Sequence, residues 1–207
     1  YLVREALAVL AFCMLSGAVY AFNDVYDVAA DRLHPTKKHR PIAAGELSER
    51  AALVASALLA ITALGGCLVI AWQLALWAGI YLVQNIAYSL KLKHVAFVDV
   101  SLLASGFILR VLAGAAAIHV PASLWLLLCT ALLALFLGLG KRAHELAWSS
   151  QSGKTGTRGA LAGYRLSVVR PVMYVLAAAT CAAYVAYTLD ARTIALFGTR
   201  DRVYSVP

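Results

Sequence analysis

Three aspartates, Asp24, Asp27 and Asp31, with Asn23 beside them, stand where a long apolar run meets a basic segment. At three- and four-residue spacing they fall within roughly 60° of one another on a helix that turns about 100° per residue. Ionised carboxylates at the end of an apolar helix are costly unless a partner neutralises them. Hard oxygen ligands on one stripe suit Mg²⁺, which keeps several waters and bridges to substrate phosphates. The residues that follow supply the opposite charge. His34-Pro35-Thr36-Lys37-Lys38-His39-Arg40-Pro41 sets its bases between two prolines, and such cations hold phosphate oxygens. Acids for a metal and bases for phosphate, a few residues apart, are the two halves of a diphosphate site. A solvated acidic patch beside a loop that touches lipid headgroups is the plainer alternative; the adjacency of the two halves favours the site.

Other polar residues lie in or beside apolar runs. Tyr81, Gln84, Tyr88 and Lys91 recur at helical spacing, with Tyr88 suited either to a membrane-interface anchor or to the mouth of a site. Lys91 and Lys93 are candidate phosphate contacts. Lys141 and Glu145 share a helix face, and Arg142 lies close enough to Glu145 to pair with it instead of a phosphate. Asp99 and Arg110 are nearly in phase around a helix, and both are expected to face the bundle. Asp99 suits either a metal or a pairing with a neighbouring lysine. Other patterns fail on spacing: Ser152-Gly153-Lys154-Thr155 lacks the first glycine of a P-loop, and His144-Glu145 lacks the second histidine of HExxH. Residues 149–163 read as a polar connection.

These residues need elements to hold them. Of the 207 residues, 62% are hydrophobic and only 14% charged, with mean hydropathy +0.79, which excludes an ordinary soluble domain. Apolar runs at Glu5–Phe22, Ala51–Trp72, Leu74–Leu92, Val95–His119, Ala122–Leu139 and Val168–Leu189 predict about six spans. Backbone groups in lipid have no outside partner, so the spans are helices and the fold is an all-α, polytopic transmembrane bundle. Cys13, Cys67, Cys129 and Cys181 are far apart with neither redox nor metal spacing. The net charge of +8 is explained by its placement. Alternate threading puts 5, 2 and 6 Lys or Arg in the connections Asp31–Arg50, Lys91–His94 and Lys141–Arg170, so this face is cytoplasmic by the positive-inside rule. The expectation is a multi-pass cell-membrane protein with its site facing the cytoplasm and no nucleic-acid partner. An ion pathway through a transporter is the rival class, but no broken mid-membrane helices announce one.

NDVYDVAAD at 23–31, the P-x-K-x-x-R-P pattern at 35–41 and GELS at 45–48 resemble the first aspartate-rich motif and following loop of the UbiA superfamily of intramembrane prenyltransferases. The resemblance implies a bundle of about nine helices, of which this chain is one domain, residues 1–207, truncated at both ends. It also implies that Asp24, Asp27 and Asp31, with Asn23, bind a substrate diphosphate through Mg²⁺, and that Lys37 and Arg40 contact phosphate. A second aspartate-rich motif is the common pattern of the superfamily; here the corresponding segment is Gly138-Leu139-Gly140-Lys141-Arg142-Ala143-His144-Glu145-Leu146. That segment, with YSLKLK at 88–93 and DVSLLASGFILRVLAGA from Asp99, resembles the decaprenyl-phosphate phosphoribosyltransferase branch. Transfer of 5-phosphoribose from phosphoribosyl diphosphate (PRPP) to a polyprenyl phosphate, feeding lipid-linked arabinose for cell-wall arabinan, is what that likeness implies. The alternative is a prenyltransferase joining a prenyl diphosphate to an aromatic acceptor. Lys91, Lys93, Lys141, Arg142 and Glu145, with Tyr88, then serve as substrate contacts; membrane lipid surrounds the helices, and self-association stays open.

Overall fold

The computed structural model describes residues 2–152, 159–190 and 193–194. All regular structure among the described residues is helical: α1 (Leu2–Tyr26), α2 (Val28–Leu33), α3 (Pro41–Ala44), α4 (Glu49–Ile70), α5 (Trp72–Leu90), α6 (Val98–Ala117), α7 (Leu124–Ser152) and α8 (Leu166–Leu189), with single 3₁₀ turns at Lys37–His39, Leu92–His94 and Gly159–Gly163. The chain divides into two compact units. The first holds Tyr1–Lys93 and Leu109–Pro121; the second holds His94–Ile108 and Ala122–Pro207.

The six long helices stand where the apolar runs predict them. Five of them, α1, α4, α6, α7 and α8, are long and apolar enough to cross a membrane. The expected sixth span, α5, is 19 residues long but is not among these five; Gln73, Gln84 and Asn85 interrupt its apolar run. Asn85 Nδ2 donates to Tyr81 O at 2.8 Å, so that amide is satisfied within its own helix. Their outer surfaces are apolar and exposed, as at Val69 and Leu124, which is the surface a helix presents to lipid rather than to water.

In the first unit α1 packs on α4 and α5 through small buried residues: Ala11 and Ala18 of α1, Ala52 and Ala63 of α4, and Ala78 of α5. Small side chains let helix backbones approach where no water is available to drive association. Ser56 Oγ donates to Ala18 O at 2.7 Å across that contact, while Leu15, Cys67 and Leu74 fill it. Cys67 there is fully buried and serves as a small apolar filler.

In the second unit Val100, Leu139, Tyr164 and Val169 form the core. Two expectations change here. The segment from Lys141 onward is not a connection but the continuation of α7 to Ser152, because Ala, Glu, Leu and Gln keep helical propensity after the apolar run stops. Of the connection expected at 149–163, the first four residues are therefore helical and the last five form a 3₁₀ turn; residues 153–158 lie outside the described residues. Gly138 is where α7 meets Val100: a Cβ there would lie 2.7 Å from Val100 Cγ1. Val100 is buried and β-branched, so it has no alternative rotamer to offer. Gly138→Ala is expected to lower stability by about 1–3 kcal/mol despite the higher helix propensity of alanine, read as a lower Tm of the purified protein.

Candidate active site

In the first unit, the carboxylates sit at the end of α1 and just beyond it. α1 stops at Tyr26 and Asp27 carries the break, with φ −92° and ψ 2° before α2. The i→i−4 ladder nevertheless runs on, Asp27 N–H donating to Asn23 O at 2.9 Å and Asp31 N–H to Asp27 O at 2.8 Å. The helical phase that predicted one stripe is therefore kept across a break that the sequence does not announce. The basic loop is folded back against it. Arg40 is the residue before α3, Pro41 opens that helix at a position where its missing N–H costs nothing, and Gly45 closes it in the left-handed region at φ 84°. Ser48 then caps α4, its Oγ accepting from Ala51 N–H at 3.2 Å.

This turn brings acids and bases together. Arg40 Nη1 donates to Asp24 Oδ1 at 2.6 Å and to Asp31 Oδ2 at 2.9 Å, so two carboxylates converge on one cationic nitrogen. Lys37 Nζ lies 3.7 Å from Asp31 Oδ1. Asp27 turns elsewhere. Its Oδ1 accepts from Lys93 Nζ at 2.5 Å and its Oδ2 from Asn23 Nδ2 at 3.3 Å. Lys93 Nζ also reaches Asn23 Oδ1 at 3.4 Å and stands 5.2 Å from the centre of the Tyr26 ring. Asn23, Asp24, Asp27, Asp31, Lys37, Arg40 and Lys93 thus form one cluster. Tyr88 lies on the last turn of α5 and Lys91 at its C-cap; Lys91 is exposed and makes no ion pair among the described residues. Among the described residues no three His, Cys, Asp or Glu side chains are gathered as a metal-ligand set, because the three aspartates divide between Arg40 and Lys93. Also in this unit, Arg110 Nη2 donates to Tyr81 Oη at 2.7 Å, facing the bundle as expected.

The second unit carries its own buried charges. Arg142 Nε lies 2.8 Å from Asp99 Oδ2, and Arg142 Nη1 pairs with Glu145. Tyr164 Oη donates to Asp99 Oδ1 at 2.6 Å and accepts from Phe97 N–H at 2.7 Å. Asp99 and Arg142 are 0% and 1% exposed. Burial, and after it the hydrogen bond to Asp99, push the Tyr164 phenol above its ordinary range, so it stays a donor. Asp99 pairs with a cation, as one of the two expectations had it, but that cation is Arg142 and not a lysine. Arg142, expected on a phosphate, is committed to two carboxylates, while Lys141 beside it is exposed. Tyr164 escaped sequence reasoning. It is 65 residues from its partner, and the one feature that marks it is an aromatic at the end of a polar connection.

The chain is similar to known proteins. The model of the family described as UbiA prenyltransferase family matches residues 4–147. Proteins named decaprenyl-phosphate phosphoribosyltransferase are similar: that of Mycolicibacterium smegmatis is 38% identical over 87% of this chain and 57% of its own length. Its namesake in Mycobacterium tuberculosis, strain H37Rv, is 38% identical over 87% and 60%. The chain therefore spans about three fifths of the curated relatives it matches. A solved UbiA homolog from Archaeoglobus fulgidus bound to DMAPP and Mg²⁺ has the same fold, with TM-score 0.79 at 18% identity over 95% of this chain and 71% of that one.

Proposed function

The chain belongs to the UbiA prenyltransferase family, and on that premise we propose that the protein transfers 5-phosphoribose from PRPP to a polyprenyl phosphate such as decaprenyl phosphate. It is a multi-pass membrane protein. The reaction takes place at the cytoplasmic face of the cell membrane, the side of the basic connections, and feeds lipid-linked arabinose for cell-wall arabinan. The observation that carries the diphosphate part of the reading is the convergence of Asp24 and Asp31 on one cation, with Lys37 and Lys93 alongside. The phosphoribosyl part is supported by relatives of that name at 38% identity.

The donor set fits Mg²⁺. Two carboxylate oxygens already meet at a single positive centre, and Mg²⁺ needs only one or two carboxylates, since waters and substrate phosphate complete its octahedron. Asp24 and Asp31 would hold it, and when bound it supplies neutralising charge to the departing diphosphate. The chain's own residues do the rest. Arg40, released from the carboxylates, and Lys37 bind phosphate oxygens, and Lys93 adds a fixed charge. The C1–O bond of the ribose breaks with its electron pair leaving on the diphosphate. A phosphate oxygen of the acceptor forms the new bond to C1. The acceptor is already anionic, so no side chain has to remove a proton. An apolar cavity of about 750 Å³ in the first unit, lined by Phe12, Gly17, Leu74 and Gly114 among others, offers an isoprenoid chain a place out of water.

In the second unit Lys141 is exposed beside the buried Arg142 and is free to meet a phosphate. Lys141→Ala is expected to lower kcat/KM about 10- to 150-fold, the loss of one charged hydrogen bond of about 1.5–3 kcal/mol, with Tm unchanged. Wild-type kinetics would make Lys141 a solvated helix residue only. The function itself is tested by giving the full-length protein each donor with its acceptor, PRPP with polyprenyl phosphate or a prenyl diphosphate with an aromatic acid. A phosphoribosyl lipid on thin-layer chromatography is the expected product; a prenylated aromatic alone would replace this reading with the other enzyme of the family.

A further inference from the structure

The buried charges of the second unit lead outward along α7. Tyr164 Oη donates to Asp99 Oδ1 at 2.6 Å, and Asp99 Oδ2 lies 2.8 Å from Arg142 Nε. Arg142 Nη1 donates in turn to Glu145 Oε2. The Arg142 and Asp99 side chains are 2% and 1% exposed, whereas that of Glu145, the last member, is 32% exposed. The network therefore pins a carboxylate from its buried side and leaves part of it accessible. Such a group accepts hydrogen bonds and has none to donate. It repels a phosphate by charge and suits a neutral hydroxyl.

The same helix face carries the complementary group. Lys141 stands four residues before Glu145 and is exposed, and at that spacing two Cβ atoms on a helix are about 5–6 Å apart. An ammonium for a phosphate and a carboxylate for a hydroxyl, one helical turn apart, match the two ends of a sugar phosphate. In ribose 5-phosphate a single furanose ring separates the phosphate-bearing carbon from the ring hydroxyls. A prenyl diphosphate has no hydroxyl to offer. We infer that Lys141 and Glu145 form the subsite for the ribose 5-phosphate end of the donor, Lys141 on the 5-phosphate and Glu145 accepting from a ring hydroxyl. Glu145 thereby selects a sugar donor over a prenyl one. Arg142 fixes the carboxylate and offsets its charge beside the phosphate one turn away. The inference rests on the proposed phosphoribosyl reading, but its test measures binding and not transfer.

The probes are ribose 5-phosphate and its 2-deoxy and 3-deoxy analogues, each titrated into the purified full-length protein by isothermal calorimetry. Wild type is expected to bind ribose 5-phosphate about 10- to 150-fold more tightly than at least one deoxy sugar, the loss of one hydrogen bond to a charged group. Glu145→Ala removes the acceptor, and the preference should fall to within about threefold. Lys141→Ala should weaken all three sugars alike and leave the preference intact. If Glu145→Ala does not fold, as thermal unfolding will show, the reading passes to Glu145→Gln, which keeps the size and an oxygen for Arg142. That variant should cut the preference by about threefold or more, since neutral hydrogen bonds are roughly half as strong as charge-assisted ones. Equal binding of the three sugars by wild type, or an undiminished preference in a folded Glu145 variant, would overturn the inference. The expected preference without any transfer product leaves the subsite standing and removes the assigned reaction; phosphoribosyl transfer without the preference does the reverse.

Discussion

Asp24→Asn is expected to reduce transfer by about 10³-fold or more while the protein still inserts, purifies and remains monodisperse. Asp24 shares with Asp31 the Arg40 nitrogen on which their two carboxylates converge. Amidation removes one negative charge from that point and converts an acceptor-only group into one that also donates. The Arg40 guanidinium then keeps only Asp31, and a divalent ion held there would lose one of the carboxylates proposed for it. A thousandfold loss corresponds to about 4 kcal/mol of transition-state stabilisation, in keeping with the several kcal/mol a metal contributes where charge develops. The helix should survive, since Asp24 is only half-buried and its neighbours in α1 pack through alanines elsewhere. The measurement is kcat/KM beside size-exclusion and thermal-unfolding profiles, with EDTA treatment as the parallel arm. Retained activity in the variant and in the chelated wild type would remove the metal from the account.

The second large effect is on stability. Arg142→Met is expected to cost about 3–5 kcal/mol, because it leaves Asp99 buried without its cation. Asp99 has no exposed surface and meets Arg142 Nε at 2.8 Å. The hydrogen bond from Tyr164 is a poor substitute for a full charge. The loss should spread, for Tyr164 ties the end of the α7–α8 connection to α6 through Asp99 and Phe97. Phe97 holds φ 65°, a left-handed conformation that a non-glycine residue rarely adopts without such a tether. Gly163 next to Tyr164 has no room for a side chain, a Cβ there lying 2.6 Å from Ala96 Cβ. Replacing both charges, Arg142→Met with Asp99→Leu, should recover much of the stability, as apolar replacement of a buried pair often does. Thermal unfolding of the single and double variants in the same detergent reads this directly. A single variant as stable as wild type would show that the pair contributes nothing to the second unit.

The contrast between Lys141 and Arg142 shows what the sequence could and could not tell. Both are cations on one short polar run, and period alone placed Arg142 near Glu145, as found. What decides their roles is burial against Asp99, 43 residues earlier, a contact set by packing of α7 on the start of α6. No spacing rule reaches that far. The acid stripe was legible because it is local: residues 23, 24, 27 and 31 are neighbours on one helical path, and the ladder keeps them in phase even where α1 breaks at Asp27. That break is not written in residue type, since aspartate is compatible with both a helix and its cap. The division of the three carboxylates between Arg40 and Lys93 was equally invisible. Arg40 arrives through a loop and Lys93 through a helix 66 residues away. The apolar spans were found to within a few residues except at the end of α7, where polarity marked departure from lipid but not the end of the helix.

The most direct measurement uses PRPP labelled in two places, ³²P in the β-phosphate of one preparation and in the 5-phosphate of another, each given to the full-length protein with polyprenyl phosphate. If the ribose C1–O bond breaks as proposed, the 5-phosphate label enters the lipid fraction and the β-phosphate label leaves as pyrophosphate, both ceasing with Asp24→Asn. Transfer of the β-phosphate label to the lipid, or a lipid fraction unlabelled by either preparation, would contradict phosphoribosyl transfer by this protein.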